Sequence, residues 1–510
     1  MAQVLDHFCR SAVMFSRLAR SSTHGVARRG FASQAFPSMR ITSQGVTAQG
    51  SFAEAQVAFL DPDVDAVKRL DETLARKKLG VVMHYYMDPE LQGLVAACNY
   101  EHVFCADSLA MTGAAVEMAK AGVRGIACLG VDFMSESVRS TLDQNGFSHV
   151  PVYTLSKQHI GCSLAEMAER PAYGAYLQKA SQAKHPLHVV YINTSMHTKA
   201  TAHDTVPTIT CTSSNVVRTV LQAAAQVPDV SIWYGPDTYM GTNLKNMFER
   251  MVTLPDEQIA KLHPAHNQQT IRDLLARFDY FKQGMCVVHH MFGGQVVQTI
   301  KTDYPIDDNT YYTAHLEVPG EMFMLAMDAQ QHGKGVVGST SNILNFIKDK
   351  AKEAASEGKD CIRVLLGTEV GMVTAIVKET QDILKQLSDK TAVEIVFPVA
   401  AEAMTATGEE GDLSLLPGVQ GGEGCSTAGG CAACPFMKMN DLDALMDLAE
   451  AFPESGSPVT PQLEAQLATI RQTDGLDLAG SGGMPIKYMR HLMQNGDLAE
   501  DLVSSIRSKQ

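Results

Sequence analysis

The sequence predicts an α/β fold built from three units, each with a short parallel sheet covered by helices. Three observations carry this. The chain has 510 residues, which corresponds to about three domains at roughly 150 residues each. Apolar residues make up 45% and charged residues 19%, enough for sizeable cores and against a disordered, collagen-like or coiled-coil chain. From residue 78 onward, short β-rich runs alternate with helical stretches, and the runs fall into three groups.

The first group holds strands at 79–86, 125–133 and 149–155, with a helix over 108–122. The second holds strands at 188–193, 208–213, 230–235 and 284–290, with a helix over 215–226. The third holds strands at 311–318, 335–341, 361–369 and 392–399. The expected units are therefore 78–184, 185–300 and 301–495, preceded by a linker or helix at 51–77 and followed by a tail at 496–510. Residues 241–283 are charged and helical and read as an insertion decorating the second unit. Residues 405–434 form a Gly-rich, cysteine-bearing loop, and loops of that length are usually functional or disordered.

Residues 1–50 differ from the rest. They carry six Arg, no Lys, no Glu and one Asp, with seven Ser and three Thr. Phe8, Ala12, Phe15 and Ala19 recur at helical spacing between arginines. An amphipathic, Arg- and Ser-rich, acid-poor start is the pattern of an organelle transit peptide, with a cleavage motif before Ala32. The expected destination is the mitochondrion, with the plastid as the alternative. Either is reducing, which favours thiols or metal ligands over disulfides. The formal charge of −14 argues against general nucleic-acid binding, which needs Lys and Arg against phosphates. No apolar run reaches the ~18 residues of a membrane helix.

Polar residues cluster where strands meet helices. His84 and Tyr86 close one strand, Asn193 another, and His315 and Glu317 a third; Thr368 and Glu369 end a fourth. Ser108, Ser213, Ser339 and Thr340 stand where helices begin. Ligands of open parallel sheets bind at carboxyl ends of strands, and helix N-termini there suit carboxylates and phosphates. Ordinary helix capping explains any one such hydroxyl; three hydroxyl-rich junctions together favour an anionic substrate. Among the cysteines, Cys98, Cys128, Cys211 and Cys361 read as structural core thiols. Cys162 lies at a loop-to-helix junction, Cys286 lies three residues before His289-His290, and Cys425-x5-Cys431-x2-Cys434-Pro435 lies in the Gly-rich loop. A Cys-x2-Cys-Pro in a reducing compartment suggests metal or iron–sulfur ligation. The triplet alone leaves the metal open, since zinc usually wants two close pairs.

The blocks HYYMDPELQ (84–92), ADSL (106–109), LGVDFMSES (129–137), GCSLAEM (161–167), YINTS (191–195), CTSSN (211–215), GSTS (338–341), GTEVGM (367–372) and CAACPFMKMN (431–440) occur in the order seen in the quinolinate synthase family, which the chain resembles from about residue 78 to 489. The resemblance implies three α/β units around a pseudo-threefold axis with the active site at their centre. It implies a [4Fe–4S] cluster on Cys162, Cys286 and Cys434, one iron being left open as a Lewis acid. It implies condensation of iminoaspartate with dihydroxyacetone phosphate to quinolinate, a precursor of NAD. Carried over by motif, Tyr86, Glu317, His84 and His315 are catalytic, with Glu317 as general base. His84, Ser108, Tyr191, Asn193, Ser213, His315, Glu317, Ser339 and Thr340 bind substrate. The resemblance further implies a functional link to an L-aspartate oxidase or dehydrogenase and to iron–sulfur assembly factors, and a possible homodimer. The family's His-Pro-Glu-Cys block here reads His315-Leu316-Glu317-Val318, and Ala stands at 428 where one branch has a cysteine, so the redox role of that triplet is in question. The competing readings are an aconitase-like hydro-lyase, which would share the open iron but not these blocks, and a non-catalytic iron–sulfur or zinc protein, which has no need of the polar strand ends.

Overall fold

The computed structural model describes residues 36–398, 434–455, 457, 459–468 and 477–509. Among these, fourteen strands form three sheets: β1 (Ser38–Ile41), β2 (Val46–Gln49), β3 (Leu79–His84), β4 (Val103–Ala106), β5 (Gly125–Leu129), β6 (Val152–Thr154), β7 (Pro186–Tyr191), β8 (Thr208–Cys211), β9 (Ser231–Gly235), β10 (Phe278–Tyr280), β11 (Thr310–His315), β12 (Gly335–Gly338), β13 (Cys361–Leu365) and β14 (Ala392–Val396). The strand orders are β4-β3-β5-β6, β8-β7-β9-β10 and β12-β11-β13-β14-β1-β2. One plan therefore recurs three times: the first strand of a unit is central, the second lies on one side, and the third and fourth on the other. All pairings within that plan are parallel. The expected α/β fold of three parallel-sheet units is what forms.

The reason lies in the strands themselves. Every residue of β3, β7 and β11 is buried, as required of a strand covered by helices on both faces. Register places the last residues of the first and second strands opposite one another in each unit: His84 with Ala106, Tyr191 with Cys211, and His315 with Gly338. Helices begin within a few residues of each second strand, at Ser108, Val216 and Thr340. The three sheets thus present equivalent carboxyl edges.

Several boundaries differ from the sequence reading. Residues 38–49, expected inside the N-terminal leader, form β1 and β2 and extend the third sheet antiparallel to β14. Their apolar members Met39 and Ile41 are fully buried in the core of that unit, so a compositional boundary at residue 50 cuts through a folded element. The 241–283 segment is helical as expected but is not a mere decoration, because it ends in β10, the fourth strand of the second sheet. The run 284–290, expected as a strand, is a loop leading into a short helical turn at His289–Met291; tertiary context overrides its β-rich composition. The third unit does not extend to residue 495. The chain after Cys434 returns to the other units: Leu442–Ala451 packs on Val64–Lys77, and Met484–Asn495 packs along β8. The expected C-terminal tail contains the helix Glu500–Ser508, which buries Leu502, Val503 and Ile506. Cys128 and Cys211 are core thiols, whereas Cys98 and Cys361 are only partly buried. The leader through residue 35 and most of the Gly-rich loop, including Cys425 and Cys431, lie outside the described residues. No helix among the described residues is long and apolar enough to cross a membrane.

Candidate active site

The equivalent carboxyl edges converge on one cavity of about 680 Å³, counting its open mouth. Each unit contributes the same positions. The first strand ends in a cavity residue and supplies another two residues on: His84 and Tyr86, Tyr191 and Asn193, His315 and Glu317. The residue two past the end of the second strand lines the cavity as well: Ser108, Ser213 and Thr340. Beyond the fourth strand each unit places one cysteine at the cavity: Cys162, Cys286 and Cys434.

Ser339 is the exception among the expected residues, being absent from the cavity lining. It sits one residue past its strand, at the helix N-cap. Its hydroxyl donates to Asn342 Oδ1 at 2.8 Å and accepts from the Asn342 N–H at 3.3 Å. The N-cap position turns a side chain along the helix end, and the next residue, Thr340, faces the cavity instead.

Two histidines are set alike. The Tyr86 N–H donates to His84 Nδ1 at 3.1 Å, and the Glu317 N–H donates to His315 Nδ1 at 3.3 Å. An amide N–H can only donate, so Nδ1 accepts and the ring proton sits on Nε2. His315 Nε2 lies 3.2 Å from Ser213 Oγ. Burial lowers His84 to about 4 against the opposing pull of Asp107 and Glu317. Burial likewise lowers His315 to about 3, Glu317 opposing. Both rings are neutral at pH 7.

The carboxyls are driven apart. Burial alone would raise Glu317, but His289, His315 and the hydrogen bond from the Tyr191 hydroxyl outweigh it and hold Glu317 below the usual carboxylate range. Burial raises Glu369 well above that range, the Cys434 N–H at 2.5 Å compensating only in part. Tyr86 is also raised by burial and by Glu369 and Glu317; its hydroxyl lies 2.8 Å from Thr340 Oγ1 and 3.3 Å from Thr368 Oγ1.

Sequence reasoning assigned no role to His289, Asp107 or Glu369, which also line the cavity. His289 is 1% exposed and stacks on His315 with ring centroids 4.9 Å apart. Its Nδ1 lies 3.2 Å from Glu317 Oε2 without the alignment of a hydrogen bond, and neither ring nitrogen is hydrogen-bonded. Its spacing of three from Cys286 was the available signal.

The three thiols share a setting. Backbone N–H groups of Ala165 and Leu164 point to Cys162, that of His289 to Cys286, and those of Met437 and Phe436 to Cys434. Burial nonetheless pushes Cys162 up to about 12 and holds the other two well above the ordinary thiol range. Three thiols around one cavity, with N–H groups prepared to stabilise thiolates, fit a thiophilic metal centre. Donor atoms of Cys286, His289 and Glu317 also lie within 4.8 Å of one another, a mixed set able to hold a metal ion. A separate cavity of about 550 Å³, lined by Val217, Leu221, Met247, Met251 and Met327, is almost wholly apolar and holds no such convergent set.

Fold and site together define a three-unit α/β protein with a central cavity bearing one thiol and one polar strand end from each unit. The family model for quinolinate synthetase A protein matches residues 67–466, and the chain belongs to that family. It is 48% identical, over 89% of its length, to the chloroplastic quinolinate synthase of Nicotiana tabacum, of which it covers 64%. It is 49% identical, over 90% of its length, to the chloroplastic quinolinate synthase of Arabidopsis thaliana, of which it covers 65%. The identity is 28% over 73% of the chain with the quinolinate synthase of Saccharolobus solfataricus, of which it covers 86%. The chain thus spans just under two thirds of the length of these plant relatives. Their chloroplastic names overturn the mitochondrial expectation. Arg- and Ser-rich, acid-poor composition is shared by mitochondrial and plastid leaders, so it could not separate the two.

Proposed function

We propose that the chain is a quinolinate synthase, condensing iminoaspartate with dihydroxyacetone phosphate to quinolinate, phosphate and two waters. The observation that carries this reading is the meeting of Glu317, held low, Glu369, pushed up, two imidazoles held low and three thiols in one cavity, in a chain of this family. Ring closure requires proton removal from carbon, proton delivery to departing oxygens and loss of phosphate, which call for acid and base groups side by side.

Cys162, Cys286 and Cys434 would hold a [4Fe–4S] cluster. Three thiolates leave one iron open, and when bound the group supplies a Lewis acid for dehydration. The chain's own residues do the rest. Glu317 takes a proton from substrate carbon, with the Tyr191 hydroxyl steadying its Oε1. Tyr86, poised between Thr340 and Thr368, passes protons during isomerisation. His84 and His315 present Nε2–H groups to substrate oxygens. Ser108, Ser213 and Thr340, at three helix starts, hold the carboxylates and phosphate, where N–H groups and the helix dipole favour anions. Asn193 adds an amide. Iminoaspartate hydrolyses readily, so an aspartate-oxidising enzyme must supply it. The leader addresses the plastid.

The test is anaerobic. Full-length protein loaded with iron and sulfide should show broad visible absorption and release quinolinate from the two substrates. Cys434→Ser should remove both absorption and product. A cluster-loaded protein that makes no quinolinate refutes the reading. An aconitase-like hydro-lyase or a non-catalytic metal protein has no use for the Tyr86–Thr340 and Tyr191–Glu317 contacts.

A further inference from the structure

A buried side chain grips each of the three turns that carry a cavity residue. Gln92 Nε2 donates to the carbonyls of Tyr85 and Met87, both at 2.8 Å, the two residues flanking Tyr86. Lys199 Nζ donates to the carbonyl of Ile192 at 3.1 Å and to that of Thr194, the residues flanking Asn193. Asn243 Nδ2 donates to the carbonyls of Leu316 at 2.9 Å and Val318 at 2.8 Å, the residues flanking Glu317. Gln92 is 2% exposed, and Lys199 and Asn243 are fully buried. None of the three lines the cavity.

The arrangement repeats while the chemistry does not: an amide, an amine and an amide serve the same geometric duty. Gln92 and Lys199 each stand six residues past the residue they hold, on the helices Pro89–Ala97 and Met196–Thr205 that follow the first strands. At that offset the third unit has Phe323, an apolar core residue. The duty passes to Asn243 on the helix Thr238–Met251, which belongs to the second unit. Gln92 Nε2 also lies against the Gly371 carbonyl and shares its two hydrogens among the three acceptors, which ties the first unit to the third.

The first carbonyl lies in the peptide plane that precedes the cavity residue and the second in the plane one residue further on, so each clamp pins both ends of a two-residue turn. Pinning both ends of so short a span narrows the directions open to the Cα–Cβ bond of the cavity residue. We propose that Gln92, Lys199 and Asn243 are positioning residues, each aiming the cavity side chain that lies between the carbonyls it holds. Loss of a clamp takes a hydrogen bond from each held carbonyl, although that of Ile192 still accepts from the Thr194 N–H at 2.7 Å, and frees the turn to move.

The kinetic arm of the test rests on the reaction proposed above; the exchange arm does not. Full-length holoprotein is compared with Lys199→Met, Lys199→Gln and Asn243→Leu. Lys199→Met and Asn243→Leu should lower kcat by about a hundredfold, the scale of an ångström misplacement, with KM for both substrates much less affected. Lys199→Gln should recover most of the loss, since a side-chain amide does this work at position 92. Amide hydrogen exchange should accelerate in residues 191–196 for Lys199→Met and in residues 315–320 for Asn243→Leu, with protection unchanged elsewhere. Unchanged kcat, a Lys199→Gln as impaired as Lys199→Met, or exchange raised across the whole chain would each overturn the proposal. If the wild-type holoprotein forms no quinolinate, the reaction is wrong, and local against global exchange still decides the clamps.

Discussion

Glu317 and Glu369 share a cavity and are pushed in opposite directions by their surroundings. Two histidines and a phenol face Glu317, while burial dominates at Glu369. Glu317→Gln keeps the size and an acceptor for Tyr191 but removes the base. Steady-state kinetics should show kcat lower by about 10²–10⁴-fold, the usual worth of a positioned acid–base group, with little change in melting temperature. Gly371 illustrates a different constraint: a Cβ there would stand 2.6 Å from the Tyr85 carbonyl oxygen and from Tyr86 Cα. Gly371→Ala should therefore displace Tyr86, reducing kcat and costing about 1–3 kcal/mol in denaturant unfolding, the range for overpacking. At this scale the sequence was legible where chemistry sits at a strand end, as with His84, Tyr86, His315 and Glu317. It was not legible where neighbouring hydroxyls divide the work, as with Ser339 and Thr340, because only the helix start decides which one caps. The clamps were invisible for another reason: the bonds Asn243 makes to residues 316 and 318 have no local signature.

At the scale of elements, strands with continuous branched or apolar runs could be read directly, and β3, β7, β11 and β13 appear where expected. Short or polar strands could not: Val103–Ala106 and Phe278–Tyr280 are defined by their neighbours in the sheet more than by their composition. The opposite error occurred at 284–290, whose valines suggest a strand but whose position carries Cys286 into the cavity. The pair β1 and β2 was hidden by the Arg- and Ser-rich composition around it. Its pairing with β14 runs over four residues, from Ser38 with Val396 to Ile41 with Val393. A chain shortened to begin at residue 51 should thus expose an edge of the third sheet and uncover core around Met39 and Ile41. Compared with a chain beginning at residue 36, it should melt lower and aggregate more, as measured by calorimetry and light scattering.

The whole molecule carries a pH signature. His84, His188 and His315 are buried and lowered to about 4, 4 and 3. His188 illustrates the cause: burial dominates, its Nδ1 faces the Trp233 carbonyl at 2.8 Å and its Nε2 the Tyr173 hydroxyl at 3.0 Å. The unfolded chain binds protons at these sites below the ordinary histidine value of about 6.5 while the folded chain does not. Stability from these groups is complete above that value and falls as pH drops towards 4, by about 1.4 kcal/mol per pH unit for each histidine. Urea unfolding from pH 7 to pH 4.5 should show the decline, and His188→Gln should flatten it by about one group's share without touching the cavity.

The cavity's three thiols stand at three separate places in the chain, each beyond the fourth strand of a different unit. No single unit, and no pair of units, therefore contains a complete donor set. A thiophilic group held there works as a coincidence detector for assembly, retained only while all three joints are closed. Its rate of loss would track the opening of the weakest joint rather than the stability of any one sheet. Release of the group thereby becomes a clock for the molecule's slowest failure, readable by colour long before the chain as a whole unfolds.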